Sequence, residues 1–164
     1  VGSEMCIRDR FLQRHGEEME FCQIQLNYLD WTLQQAKEKC ELLNRYNIPI
    51  WVMEPIRGGK LANLPESMTA ELRAMRPEAS AASWALRWVQ QIPGVTMILS
   101  GMSDLAQMQD NLATFDHPQP LSEEETAAFK EACQSVYDEY RDVIGGDLLD
   151  RAVAMSEEMA AARK

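Results

Sequence analysis

Two short stretches of this chain carry the residue types that hold a phosphate. Arg57-Gly58-Gly59-Lys60 flanks a glycine pair with a cation on each side. Glycine has no Cβ, so backbone N–H groups there can come close to an anion. Ser100-Gly101-Met102-Ser103 runs straight into a helical pattern. It therefore offers N–H groups at a helix N-terminus, where the dipole also favours an anion. Two such turns point to a ligand with separated phosphates. No G-x-G-x-x-G follows a strand and no G-x-x-x-x-G-K-[ST] is present, which excludes the dinucleotide fingerprint and the P-loop. Glu54 is a single carboxylate without the partner that glycoside hydrolysis needs. The cysteines, at 6, 22, 40 and 133, form no C-x-x-C and suit neither zinc nor an iron–sulfur cluster. Cys22 and Cys40 lie inside apolar patterns and read as reduced core thiols, and His15 and His117 as surface or loop residues. No catalytic residue and no metal ligand stands out.

The elements that must position these turns follow from periodicity. Residues 11–19 read as the tail of a helix. In Phe21–Leu26, Cys22, Ile24 and Leu26 alternate with Gln23 and Gln25, a strand period. One helix with a stripe of Leu33, Ala36, Cys40 and Leu43 follows and stops near Asn47-Ile48-Pro49. Ile50–Met53 is a wholly apolar strand, which predicts burial on both faces. A weaker helix covers Pro65–Met75 and a stronger one Ser80–Gln91, with Trp84 and Trp88 packing on the sheet. After the Val95–Leu99 strand, Ser103 is the expected N-cap of a helix whose inner face is Leu105, Met108, Leu112 and Phe115. This alternation predicts right-handed βαβ units and a parallel sheet, with both turns at carboxyl ends of strands, where such sheets bind ligands. Beyond His117-Pro118-Gln119-Pro120, Ser122-x-x-Glu125 is a capping box for a helix carrying Phe129, Cys133, Val136 and Tyr140 on one side. Gly145-Gly146 is its expected stop, and Asp147 the cap of a last acidic helix to Lys164.

The 164 residues hold 16 Lys+Arg against 26 Asp+Glu, a net charge of −10, with 46% apolar residues. That supports a core of ordinary domain size and argues against nucleic acid or anionic membrane as main partner, since both demand clustered cations. No apolar run reaches the length of a membrane span. Val1–Arg10 has neither a starting Met nor the apolar stretch of a signal peptide. It reads as a segment foreign to the natural protein, which would then begin further upstream. Without an export signal, the reducing cytoplasm is the expected compartment.

Taken in order, F-C-Q-I-Q-L-N-Y-L-D-W, I-P-I-W-V-M-E-P-I-R-G-G-K-L-A, W-A-L-R-W and I-L-S-G-M-S-D-L-A-Q-M-Q-D-N resemble the aldo/keto reductases. They are most like the bacterial branch whose members often end in a ferredoxin-type cluster segment. The resemblance runs from about Phe11 to Leu121. It implies an α/β fold, the C-terminal portion of a (β/α)8 TIM barrel with about three parallel β/α units. Residues 1–10 are set aside, 11–121 form the partial barrel, and 122–164 a C-terminal helical extension.

The resemblance also implies NADP(H) and a carbonyl substrate, reduced by hydride transfer. By position, Gln23 would meet the nicotinamide carboxamide, and Met53 replaces the aromatic ring that many relatives place under the nicotinamide. Glu54, Pro55, Ile56, Arg57 and Gly58 would line the pyrophosphate turn. Gly101, Ser103, Gln107, Asp110 and Asn111 match the G-x-S-x-x-x-Q-x-x-E-N pattern at the adenosine end, with Asp110 in place of the usual Glu. The family's Asp, Tyr, Lys and His tetrad belongs to earlier strands without counterpart here, and Tyr28 falls in the wrong segment. The expectation is thus a fragment without catalytic residues, and without an iron–sulfur cluster because the cluster cysteines are missing. Gly101, Met102 and Gln107 replace residues that often grip the 2′-phosphate, which weakens the preference for NADP over NAD. The alternative is a stand-alone partial barrel acting as a nucleotide-binding or assembly module, self-associating through its open edges.

Overall fold

The computed structural model describes residues 4–144 together with Gly146, Asp150, Arg151 and Ala154. Helix α1 (Glu4–His15) and a 3₁₀ turn (Gly16–Glu18) lead into β1 (Cys22–Gln25), α2 (Tyr28–Leu33) and α3 (Ala36–Arg45). Next come β2 (Ile50–Met53), a 3₁₀ turn (Lys60–Ala62), α4 (Glu66–Met75) and α5 (Ala81–Gln90). Strand β3 (Val95–Ile98), α6 (Leu105–Asp116) and α7 (Glu123–Ile144) complete the order. The strands form one parallel sheet in the order β1-β2-β3. The expected βαβ alternation is therefore present as three parallel units.

Register decides which side chains share a face. Gln23 pairs with Trp51 and Trp51 with Met97, while Gln25 pairs with Met53. Ile50 and Val52, pointing the other way, are completely buried. The expectation of burial on both faces of β2 fails on this point. Trp51 is only half-buried, and Met53 and Met97 are exposed. Helices cover one face of the sheet, and the other face, with Gln23, Trp51, Met53 and Met97, lies open.

The core forms where α2, α5 and α7 meet. Trp88 packs edge-on against Tyr28 and Trp31, and Phe129 against Tyr28, with Trp84 stacked on Phe129. The ring partners of Trp84 and Trp88 thus come from neighbouring helices. Phe129, Cys133 and Val136 are buried, as the pattern predicts. The side chain of Tyr140, and the last helix that Asp147 was expected to cap, lie outside the described residues. Gly146 has helical backbone, so the expected stop at the glycine pair is not seen there. The capping box forms: Ser122 N–H donates to Glu125 Oε2 at 2.8 Å, and Glu125 N–H donates to Ser122 Oγ at 3.1 Å.

Four further expectations change. Glu4–Arg10, set aside in the sequence reading, is helical and continuous with Phe11–His15, and the 3₁₀ turn occupies the stretch expected to prolong that helix. The helix expected across Leu33–Leu43 is two, because Gln35 takes a left-handed φ of 52° and breaks the ladder while Ala36, Cys40 and Leu43 stay buried. Asp104, not Ser103, caps α6: its carboxylate accepts from Gln107 N–H at 2.8 Å. The fourth change is the largest. Leu105, Met108, Leu112 and Phe115 are exposed rather than inward. Helix α6 docks on α5 by its polar side, where Ser80 Oγ donates to Asp110 Oδ2 at 2.6 Å and Thr114 Oγ1 to Ser83 Oγ at 3.0 Å.

Candidate functional site

The carboxyl ends of the three strands open onto a cleft of about 560 Å³. Of the residues assigned a cofactor contact from the sequence, all border it except Arg57. Gln23 and Met53 sit together at its floor, the Gln23 amide donating to the Met53 thioether at 3.4 Å. The register sets Met53 opposite Gln25, so Gln23 on the same face reaches it along the diagonal.

The turn after β2 enters and leaves through left-handed residues, with Pro55 and Ile56 between them. Glu54, Arg57, Gly58 and Gly59 have φ of 56°, 46°, 57° and 85°. For the two glycines this is cheap, but for Glu54 and Arg57 it costs on the order of 1 kcal/mol each. Neighbours hold the strain in place. Buried Asn27, the N-cap of α2, donates through Nδ2 to the Glu54 carbonyl at 2.9 Å. Arg57 N–H closes on the same carbonyl at 3.1 Å, and the Arg57 guanidinium pairs with Asp30. Asp30 is itself fully buried and accepts from Gln25 at 2.7 Å and from Asn27 at 2.6 Å.

Arg57 therefore corrects the sequence reading. Rather than bracketing the turn for an anion, it turns inward to a buried carboxylate, which would be costly to leave unpaired. Lys60 does not border the cleft either, and among the described residues no other Lys or Arg does; the lining includes the carboxylates of Glu54 and Asp110. The groups here that could hold an anion are backbone amides and the Ser103 hydroxyl. Gly58 N–H donates to Glu54 Oε2 at 2.6 Å. On the second turn, Ser103 donates from N–H at 2.9 Å and from Oγ at 3.2 Å to Gln107 Oε1. Asn111 donates to Ser100 Oγ at 2.9 Å, steadying the strand end. Gln107, Asp110 and Asn111 all border the cleft from α6, with Asp110 also tied to Ser80.

Sequence reasoning missed Asn27 and Asp30, whose spacing directly after a strand is that of an N-cap and its third helical residue. It also missed Asn63, which donates to the Gly59 carbonyl at 2.8 Å beside the cleft. Tyr28 is a packing residue against Trp88 and Phe129. His15 and His117 are exposed beside Glu18 and Asp116. Cys40 and Cys133 are buried free thiols, and burial pushes the Cys40 thiol up to about 12. Among the described residues no group of three or more His, Cys, Asp or Glu converges as a metal site would require, and no helix is long and apolar enough to cross a membrane.

Comparison with known proteins agrees with this geometry. The sequence profile described as "Aldo/keto reductase family" matches residues 10–134. No curated protein matches the chain in sequence. Among solved structures, the apo form of aldo-keto reductase AKR11C1 from Bacillus halodurans is similar, with a TM-score of 0.54 and 16% identity. That likeness covers 76% of this chain and 47% of the reductase. For the holo form the TM-score is 0.56 and the identity 18%, over 77% of this chain and 44% of the reductase. The chain thus spans less than half the length of these solved relatives, and its sheet corresponds to part of their barrel. With the profile matched over most of its length and a β/α sheet of the same fold, the chain belongs to the aldo/keto reductase family.

Proposed function

We propose that this chain is the cofactor-holding portion of a cytoplasmic NADP(H)-dependent oxidoreductase that reduces aldehydes or ketones. The observation that carries the reading is the cleft itself, which collects both phosphate-type turns and the Gln23–Met53 floor at the carboxyl ends of a parallel sheet. The donors fit a dinucleotide, for the Gly58 amide and the Ser103 amide and hydroxyl each hold an oxygen of the chain's own, as they would hold a phosphate oxygen. Gln23 would hold the carboxamide, the Gly58 turn the pyrophosphate, and Ser103, Gln107 and Asn111 the adenosine end. When bound, NADPH supplies the hydride. This chain's share is to orient that cofactor; among the described residues the cleft lining includes no Tyr, His or Lys to protonate the carbonyl oxygen.

The test is to titrate NADPH and NADH into the chain and follow nucleotide fluorescence. Saturable binding is expected. Ser103→Ala should weaken it about threefold to tenfold, the scale of one neutral hydrogen bond. Because no Lys or Arg among the described residues borders the cleft, the two nucleotides should differ by about tenfold at most, less than the about 1.5–3 kcal/mol that each charged hydrogen bond to a 2′-phosphate can supply. NADPH should not be consumed when an aldehyde is added. Absence of saturable binding sinks the reading, and turnover sinks the claim of a missing proton donor.

A second reading, a partial-barrel nucleotide-binding or assembly module, is favoured by one observation. The α6 stripe and the open sheet face expose Leu105, Leu112, Met53 and Met97. Such a surface invites a covering chain. Light scattering that shows a monomer at all concentrations would remove it.

A further inference from the structure

The oxygen seated on the Gly58 amide belongs to Glu54, four residues earlier in the same turn. Its position is set by backbone held from outside. The left-handed φ of 56° at Glu54 persists because buried Asn27 grips the Glu54 carbonyl at 2.9 Å and Arg57 N–H closes on it at 3.1 Å. Arg57 is in turn pinned on Asp30. With both sides of the turn fixed, the Glu54 carboxylate comes to within 2.6 Å of the Gly58 nitrogen. The residue is exposed and borders a cleft whose lining includes no Lys or Arg. The second turn differs: the oxygen on its amide is the neutral Oε1 of Gln107.

We propose that Glu54 is a tethered anion in the phosphate seat, and that it sets the affinity of this cleft by competing with the incoming phosphate for the Gly58 amide. The proposal rests on the reading of the cleft as a dinucleotide site. One N–H cannot hold two charged acceptors at full strength, and a phosphate approaching a seated carboxylate also meets like charge at short range. Release needs only rotation of an exposed side chain about its own torsions, with the strained backbone left as it is. Glu54 therefore acts against the ligand rather than for it. Since the pyrophosphate is common to NADPH and NADH, the effect is the same for both.

The experiment compares the chain with Glu54→Gln and Glu54→Ala by calorimetry with NADPH, NADH and inorganic pyrophosphate, while following the Gly58 amide by NMR. Both variants are expected to bind either dinucleotide about tenfold more tightly, the scale of one charge-assisted hydrogen bond. The Gly58 resonance should move upfield when the carboxylate is removed and return downfield on addition of pyrophosphate. Affinity unchanged or weakened in both variants, or a Gly58 resonance that does not move, overturns the proposal even where NADPH binds. Tighter pyrophosphate binding in the variants with no dinucleotide binding leaves the proposal standing and removes the dinucleotide reading. Failure of every form to bind any of the three ligands overturns both.

Discussion

Helices α5 and α6 lie side by side, and each carries apolar residues at steps of three and four. Their fates are opposite. On α5, Trp84, Ala85, Trp88 and Val89 are buried between the sheet side and the aromatic rings of α2 and α7. On α6, Leu105 and Leu112 are 63% and 59% exposed, and the buried residue is Thr114. The pairing inverts the usual rule, since α6 is held through Asp110 and Thr114 to the α5 cap Ser80 and to Ser83 of α5. Amphipathic spacing states that a helix has an apolar face, and the tertiary surroundings decide whether anything covers it.

The largest break of this comparison is Trp84→Ala. It should cost about 3–5 kcal/mol, because the ring is fully buried and stacks on Phe129. The indole N–H makes no hydrogen bond, so the loss is one of packing and of the contact with the Arg76 guanidinium, 5.8 Å from the ring centroid. The midpoint of urea unfolding followed by circular dichroism measures it.

A middle-sized effect comes from the seam between α4 and α7. Arg76 donates to Glu125 Oε2 at 2.8 Å, with a second, shorter contact to Oε1. The Arg76 hydrogen bond is the main reason that the Glu125 carboxyl is lowered from 4.5 to about 2, with the capping bonds to Ser122 adding to it. Because the folded carboxyl titrates below the unfolded one, this stability is complete above pH 4.5 and is lost as pH falls towards about 2. Arg76→Ala should cost about 1.5–3 kcal/mol at neutral pH, the scale of hydrogen bonds to charged groups. It should also flatten the acid limb in that window. An acid limb unchanged in the variant would assign it to other carboxylates.

The smallest effect is the sharpest test of the contrast. Leu112→Glu on α6 should change stability by no more than about 0.5 kcal/mol, as for surface substitutions elsewhere. A loss of about 2 kcal/mol or more in the same urea assay would mean that the stripe is covered in solution, and would erase the difference between the two helices.

Much of the architecture was legible because local chemistry specifies it. The strand at Ile50–Met53, the helix expected over Ser80–Gln91 and the reciprocal bonds of Ser122 and Glu125 appear where residue types and spacing placed them. The site was legible to the extent that strand ends and glycine turns announce it, and its members do border one cleft. What escaped was partnership. Arg57 reads as a cation beside a phosphate turn until Asp30, 27 residues away, is found beneath it. Asp104 displaced Ser103 as the cap because two adjacent capping residues compete and spacing alone does not choose between them.

By itself, then, the sequence determined the kinds and order of the elements, the parallel sheet implied by their alternation, and the turns at which the backbone could meet an anion. These depend on interactions within a few residues, such as caps, glycine torsions and side-chain periodicity. Only the tertiary structure decided that Arg57 faces Asp30, that α6 presents its apolar stripe outward, and that Glu54 sits on the Gly58 amide. Each of these is settled by a neighbour brought in from elsewhere in the chain. The cost of leaving a buried carboxylate unpaired, or a strained turn unsupported, exists only once the chain has folded.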